Sequence, residues 1–234
     1  MDLLIASTST VHGQRYLEYI QEDLKIFFKD IQKLLFIPYA RPSGISHDEY
    51  TSKVSDFFLK LEIQVSGIHT FEDPVSAVEK AQAIFTGGGN TFELLHQLYK
   101  NDLLNAIRRA VLNGTKYFGT SAGSNITGLT IGTTNDMPIV YPPSFNALQL
   151  VPFNINPHYL DPDSGSTHMG ETRETRIFEF HKFNDQPVIG LREGSWIEVK
   201  GTKAILRGNL SARIFRKNML PEEIPTGTDL TFLL

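Results

Sequence analysis

Short apolar runs alternate with stretches of helical spacing along the first half of the chain. Leu3-Leu4-Ile5-Ala6 is a continuous apolar run, the pattern of a strand buried on both faces. From Tyr16 to Lys29 the apolar positions 17, 20, 24, 27 and 28 follow helical spacing. Leu34-Leu35-Phe36-Ile37 is a second buried run, stopped by Pro38. Ser46-His47-Asp48-Glu49 reads as a capping box and predicts a helix to about Leu61. Ile63 to Ile68 reads as a third strand. Asp73-Pro74 pairs an N-cap with proline at the first helical position, and predicts a helix to about Lys80. Ala83-Ile84-Phe85-Thr86 is a fourth run, followed by Gly87-Gly88-Gly89 and by Asn90 as an N-cap. Helical spacing then continues through Leu94, Leu95 and Leu98, and resumes at Leu103, Leu104, Ile107 and Val111. A fifth strand is expected just before Ser121.

Strict strand–helix alternation predicts a doubly wound, mostly parallel sheet with helices on both faces. Reactive groups then belong at the carboxyl ends of the strands. Beyond Asn125 the order loosens. Ile131 to Pro143 reads as loop or edge elements, and Leu150 to Asn156 as a strand with Pro157-His158 at its end. Gly165 to Gly170 is expected to be loop. Glu171 to about Phe180 is expected to be helical, carrying Arg173, Arg176 and His181. Val188-Ile189-Gly190-Leu191 is another buried run. Trp196–Val199, Ala204–Leu206 and Ala212–Phe215 read as a short antiparallel C-terminal meander. The tail from Pro221 carries no firm pattern. With no repeat, low-complexity stretch or linker, one α/β domain over residues 1–234 is expected.

Composition narrows the chemistry. The chain has no cysteine, so disulfides, a cysteine nucleophile and thiolate metal sites are excluded. Its net charge is −4 with no basic block, and nucleic acid is not an expected partner. An acid at Asp2 and a short apolar run do not match a signal peptide. No stretch approaches the ~20 apolar residues of a membrane helix. A soluble, cytoplasmic protein without membrane contact is expected.

The candidate chemistry begins at Gly119-Thr120-Ser121-Ala122-Gly123. A strand that runs into Gly-x-Ser-x-Gly is how a nucleophile elbow reads, with the serine presented at a strand tip. The plain alternative is a simple strand–helix turn. A serine nucleophile needs a base and a group to orient it. Of the seven histidines, His158 lies at a strand end. His96 sits among leucines, where a packing role is expected. His12, His47 and His69 fall in loops or helix starts, and His168 and His181 lie in polar surroundings and are expected to be exposed. Two acids compete as orienter, Asp136 in the loop after the elbow and Glu193 two residues past Leu191; placement slightly favours Glu193. The oxyanion would take the Ala122 N–H and one from the Gly87-Gly88-Gly89 loop. No Lys-Ser/Thr follows those glycines, and Ser7-Thr8-Ser9-Thr10 lacks a dinucleotide fingerprint, so nucleotide binding is disfavoured. Asp161-x-Asp163-x-Gly165 has the start of a calcium loop, but its twelfth position is Thr172 and not glutamate. His158-Tyr159-Leu160-Asp161-Pro162-Asp163, with His168, could also be read as a metal cluster. No metal and no cofactor are expected.

The motifs Gly87-Gly88-Gly89-Asn90-Thr91-Phe92, Ser121-Ala122-Gly123 with Asn125, Thr133 to Val140, Ile155-Asn156-Pro157-His158, Gly170 to Glu174, and Glu193-Gly194 before Trp196-Ile197 together resemble the peptidase E family of aspartyl dipeptidases. The resemblance implies a flavodoxin-like sheet related to class I glutamine amidotransferases, with serine in place of cysteine. It implies hydrolysis of dipeptides with N-terminal aspartate, through an acyl-enzyme. Ser121 would be the nucleophile, His158 the base, and Asp136 or Glu193 the third member. Gly88 or Gly89 with Ala122 would hold the oxyanion. Arg173, then Arg176, would bind the substrate carboxylate, and Asn90 is a further candidate substrate contact. Thr120 and Ser124 depart from the family pattern, where an aromatic and an alanine are common. Asp161 to Thr167 and the tail match nothing in it. A cyanophycinase-like peptidase acting on an aspartyl–arginine polymer is the nearest rival, although the chain is short for a polymer groove. A non-catalytic amidotransferase-like binding module is the second. A monomer or homodimer is expected.

Overall fold

The computed structural model describes residues 1–234 except Asp163, Ser164, Ser166, His168 and Met169. The readings of Asp163 and His168 as metal or calcium ligands, and of His168 as exposed, therefore lie outside the described residues.

The elements follow in chain order: β1 (Asp2–Ala6), α1 (Gln21–Phe27), β2 (Lys33–Ile37), α2 (His47–Phe58), β3 (Gln64–Gly67), α3 (Pro74–Glu79), β4 (Ala83–Thr86), α4 (Thr91–Lys100), α5 (Leu103–Leu112) and β5 (Lys116–Thr120). Then come α6 (Ala122–Asn125), β6 (Asn154–Pro157), α7 (Arg173–Phe183), β7 (Val188–Leu191), β8 (Ser195–Lys200), β9 (Lys203–Gly208), β10 (Ala212–Phe215) and β11 (Glu222–Ile224).

A seven-stranded sheet runs in the order β3-β2-β4-β5-β1-β8-β9. Its first five strands are parallel, and β8 and β9 continue it antiparallel. The continuous apolar runs explain this layer. Leu3 and Ile5 join one buried cluster, and Leu4 and Ala6 the cluster on the opposite face. Alternate side chains of one strand point to opposite faces, so a strand covered on both sides must be apolar throughout. Phe85 of β4 and Phe118 of β5 stack with ring centroids 4.5 Å apart in the second cluster. Each such side chain contributes ~1.5–3 kcal/mol when fully buried.

The caps read from sequence form. In α2, Glu49 N–H donates to Ser46 Oγ (3.1 Å) and Ser46 N–H to Glu49 Oε2 (2.8 Å). Asp73 caps α3 through Ser76 N–H, and Asn90 caps α4 through Glu93 N–H, both at 3.0 Å. The helix expected from Tyr16 opens instead as a 3-10 turn at Glu18–Ile20 before α1.

The second half differs more from expectation. The strand expected from Leu150 begins only at Asn154, because the amides of Leu150 and Val151 turn back to the Thr127 carbonyl. The expected C-terminal meander divides: β8 and β9 form a hairpin beside β1, whereas β10 pairs with β7 in a second sheet of order β11-β10-β7-β6. His181 is not exposed as expected. It is 4% exposed, one turn after the buried Ile177, with Nε2 3.1 Å from the Gln186 carbonyl. The i, i+4 spacing puts both on the inward face of α7. Among the described residues, no helix is long and apolar enough to cross a membrane.

Candidate active site

Ser121 stands at the tip of β5, between β4 and β1. Its backbone takes φ 53° and ψ −112°, a region that costs a non-glycine residue on the order of 1–3 kcal/mol. The surroundings enforce it. Ser121 N–H donates to the Ala6 carbonyl of β1 at 3.1 Å, and Ser124 and Asn125 N–H return to the Ser121 carbonyl. The flanking glycines are required by close approach: a Cβ on Gly119 would lie 2.4 Å from the Gly123 carbonyl oxygen, and one on Gly123 would lie 2.1 Å from that of Thr86. The buried Ser124 hydroxyl lies 2.6 Å from the Ala6 carbonyl and 2.7 Å from that of Gly119. The buried Asn125 donates from Nδ2 to the Ile155 carbonyl of β6 at 2.7 Å, which ties the elbow to the strand leading to His158.

His158 follows β6 directly and also has positive φ (53°). Its Nε2 lies 2.8 Å from Ser121 Oγ, and its Nδ1 lies 2.5 Å from Glu193 Oε1. A carboxylate can only accept, so Nδ1–H donates to Glu193 and Nε2 is left to accept from the serine hydroxyl. Glu193 sits in the Arg192–Ser195 turn after β7, with its side chain 45% exposed. A pair this open adds little to stability, so its consequence is the tautomer and orientation of the ring.

Asp136 does not meet His158. Its Oδ2 accepts from Thr91 N–H (2.7 Å), Thr91 Oγ1 (2.6 Å) and Thr134 Oγ1 (3.1 Å), at the first turn of α4. An anion is favoured there by the free amides and the helix dipole. Among the described residues its Oδ1 accepts nothing. Arg173 opens α7 half-buried, and among the described residues it makes no hydrogen bond or ion pair. Partial burial and the Arg176 charge lower its pKa from the usual arginine value, while the nearby Asp136 opposes them. Arg176 is exposed, 3.8 Å from Glu171. Asn90 is committed at both ends, its Oδ1 to Glu93 N–H and its Nδ2 to the Met137 carbonyl at 2.9 Å.

The glycine loop lies against the elbow. A Cβ on Gly88 would come within 2.9 Å of the Ser121 Cβ. Gly87 N–H donates to Ile37 and Asn90 N–H to Ala40, whereas among the described residues the amides of Gly88, Gly89 and Ala122 have no acceptor. Sequence reasoning missed Thr91 and Thr134 as the holders of Asp136. Their signal was present in the Asn90-Thr91 and Thr133-Thr134-Asn135-Asp136 motifs. Among the described residues no group of three or more His, Asp or Glu side chains could hold a metal ion.

An elbow serine bonded to a carboxylate-backed imidazole, at the carboxyl edge of a mostly parallel sheet, is the constellation of the serine hydrolases. Comparison with known proteins narrows the class. The chain is a serine peptidase and belongs to peptidase family S51, whose family model matches residues 3–207. It is 50% identical over 234 residues to the peptidase E of Streptomyces coelicolor, covering 100% of this chain and 95% of that one. It is also 50% identical over 236 residues to a probable alpha-aspartyl dipeptidase of Drosophila melanogaster, covering 100% of this chain and 97% of the other. Among solved structures, a peptidase from an acI-B1 actinobacterium superposes with a TM-score of 0.74 at 16% identity, covering 98% of this chain and 96% of that one. A putative peptidase E of Listeria monocytogenes gives 0.68 at 22%, covering 89% and 98%. These two share the fold.

Proposed function

We propose that this peptidase hydrolyses dipeptides with N-terminal aspartate through an acyl-enzyme on Ser121. The observation that carries the reading is the hydrogen-bonded series Ser121 Oγ–His158–Glu193. Ser121 Oγ attacks the peptide carbonyl as His158 Nε2 takes its proton, and Glu193 holds the ring and stabilises the imidazolium. The amides of Ala122 and of Gly88 or Gly89 receive the oxyanion; one such donor is typically worth ~3–4 kcal/mol. His158 then protonates the leaving amine, and water attacks the aspartyl ester with His158 again as base. The products are aspartate and the second amino acid.

Specificity for aspartate needs a cation for its side-chain carboxylate and an anion for its ammonium. Arg173, without a partner among the described residues, offers the first, and a guanidinium can grip a carboxylate with two parallel bonds. The Asp136 Oδ1, which accepts nothing among the described residues, offers the second. The name of the Drosophila relative supports this substrate class. Steady-state kinetics test the reading. Ser121→Ala reduces Asp-Leu hydrolysis by several orders of magnitude; near wild-type activity would overturn the nucleophile. Arg173→Met removes the preference for Asp-Leu over Asn-Leu, and an unchanged preference would reject Arg173 as the carboxylate clamp.

A further inference from the structure

The Ser–His–Glu series is built from two sheets. Ser121 ends a strand of the seven-stranded sheet, and His158 and Glu193 follow β6 and β7 of the four-stranded one. The two tips must be held at hydrogen-bond distance by something other than the triad itself. Residues Ala6 and Ser7, at the end of β1, meet all three segments.

The Ala6 carbonyl accepts Ser121 N–H at 3.1 Å. Ser7 N–H donates to the carbonyl of Ser195, two residues past Glu193, at 3.1 Å. The Ser7 side chain, 0% exposed, bridges the remaining gap. Its Oγ donates to the Leu191 carbonyl at 2.7 Å and accepts His158 N–H at 2.8 Å. Leu191 precedes Glu193 by two residues, and its carbonyl also accepts Tyr159 N–H. One hydroxyl thus joins the backbone of the histidine to the strand that leads to the glutamate, in register with the strand beside the nucleophile.

The backbone at His158 explains why a bridge is placed there. With φ at 53°, the residue lies in the left-handed region that a histidine rarely adopts unaided. The hydrogen bond from His158 N–H to Ser7 Oγ holds the turn at the histidine itself, while Tyr159 N–H to the Leu191 carbonyl and Asn135 Nδ2 to the Pro157 carbonyl hold its flanks. A serine suits this position because a single small side chain must both donate and accept in a space closed to water. Alanine would fill nearly the same volume and leave the His158 amide and a lone pair of the Leu191 carbonyl unpaired.

We propose that Ser7 is a positioning residue of the reaction: its hydroxyl sets the distance between the nucleophile of one sheet and the base and acid of the other. It touches no substrate, so its effect falls on the catalytic step and not on binding. The inference rests on Ser121 acting as nucleophile.

Ser7→Ala, Ser7→Thr, Ser121→Ala and a destabilised control, Val111→Ala on the buried face of α5, form the test. Each is assayed on Asp-Leu well below its melting temperature, and the Ser121-bearing variants are also labelled with a fluorophosphonate. Ser7→Ala is expected to lower kcat and the labelling rate by about 10- to 100-fold, the loss typical of a reacting group displaced by about 1 Å, with KM within about twofold. Ser7→Thr, which keeps the hydroxyl, recovers most of the loss, and Val111→Ala keeps its kcat despite a lowered melting temperature. A folded Ser7→Ala with kcat within about twofold of wild type overturns the proposal, as does a loss confined to KM or one matched by Val111→Ala. An active Ser121→Ala would instead sink the nucleophile reading itself, which separates the two failures.

Discussion

Ser121 and His158, the proposed nucleophile and base, both have backbone φ of 53°, and the amide of each donates to Ala6 or Ser7 at the end of β1. At this scale the open question in the sequence was which acid stands behind the histidine. Asp136 and Glu193 are alike as letters: each is an acid in a loop after a structured run. Space separates them, since Glu193 meets Nδ1 while Asp136 spends one oxygen on Thr91 and Thr134. Glu193→Gln is therefore expected to lower kcat by about 10²–10⁴-fold, in the range of general-base losses. Asp136→Asn should act mainly by raising KM for Asp-Leu. Kinetics of the pair decide it; a larger kcat loss in Asp136→Asn would reverse the assignment. Gly88→Ala is expected to lower kcat with little change in melting temperature, because its Cβ would press on Ser121 and not on the core. A wild-type kcat would show that the loop has room to yield.

The helices and parallel strands from β1 to β5 lie close to where periodicity and caps put them, because their determinants are local. Ser46 and Glu49, or Asp73 and Pro74, sit within one helical turn of what they stabilise. The elements after α6 were less legible. The run at Leu150 has the apolar content of a strand, yet its amides are spent on Thr127; His181 has a polar neighbourhood in sequence and a buried one in space. Asn90 illustrates the point for function. The family pattern made it a candidate substrate contact, while its amide caps α4 and holds the Met137 carbonyl of the Asp136 loop. Asn90→Ala should cost about 1 kcal/mol of stability as a lost cap, read by thermal unfolding. It should also raise KM by releasing the loop, and a variant of unchanged stability would contradict the capping role.

At the scale of the whole molecule, an ionic cluster braces the four-stranded sheet that carries His158 and Glu193. Arg192, next to Glu193, grips Asp161 through Nε and Nη2 (2.8 and 2.7 Å) and Glu223 through Nη1 (2.6 Å), joining β7, β11 and the segment after His158. Hydrogen bonds from Arg192 hold both carboxyls below their ordinary range, with Ser211 assisting at Glu223. A carboxyl whose folded pKa is depressed stabilises the fold above its unfolded pKa, about 4, and that stabilisation is lost as pH falls through the folded value. Melting temperature should therefore drop on acidification from about pH 5 toward pH 3. Arg192→Met should flatten that part of the curve. Asp161 and Glu223 are about half exposed, so added salt should weaken the effect. A pH profile unchanged in Arg192→Met would place the acid sensitivity elsewhere.

The sequence by itself determined the sheet's parallel half, the elbow at Ser121, the glycine loop and the candidacy of His158, because each is written in residues a few positions apart. The tertiary structure decided the division of the C-terminal strands between two sheets, the choice of Glu193 over Asp136 as the partner of His158, and the place of Ser7 between them. Those outcomes depend on contacts between residues as far apart as Ser7 and Leu191. Such pairings are set by which buried surfaces and backbone groups can be satisfied together, and no local spacing encodes them.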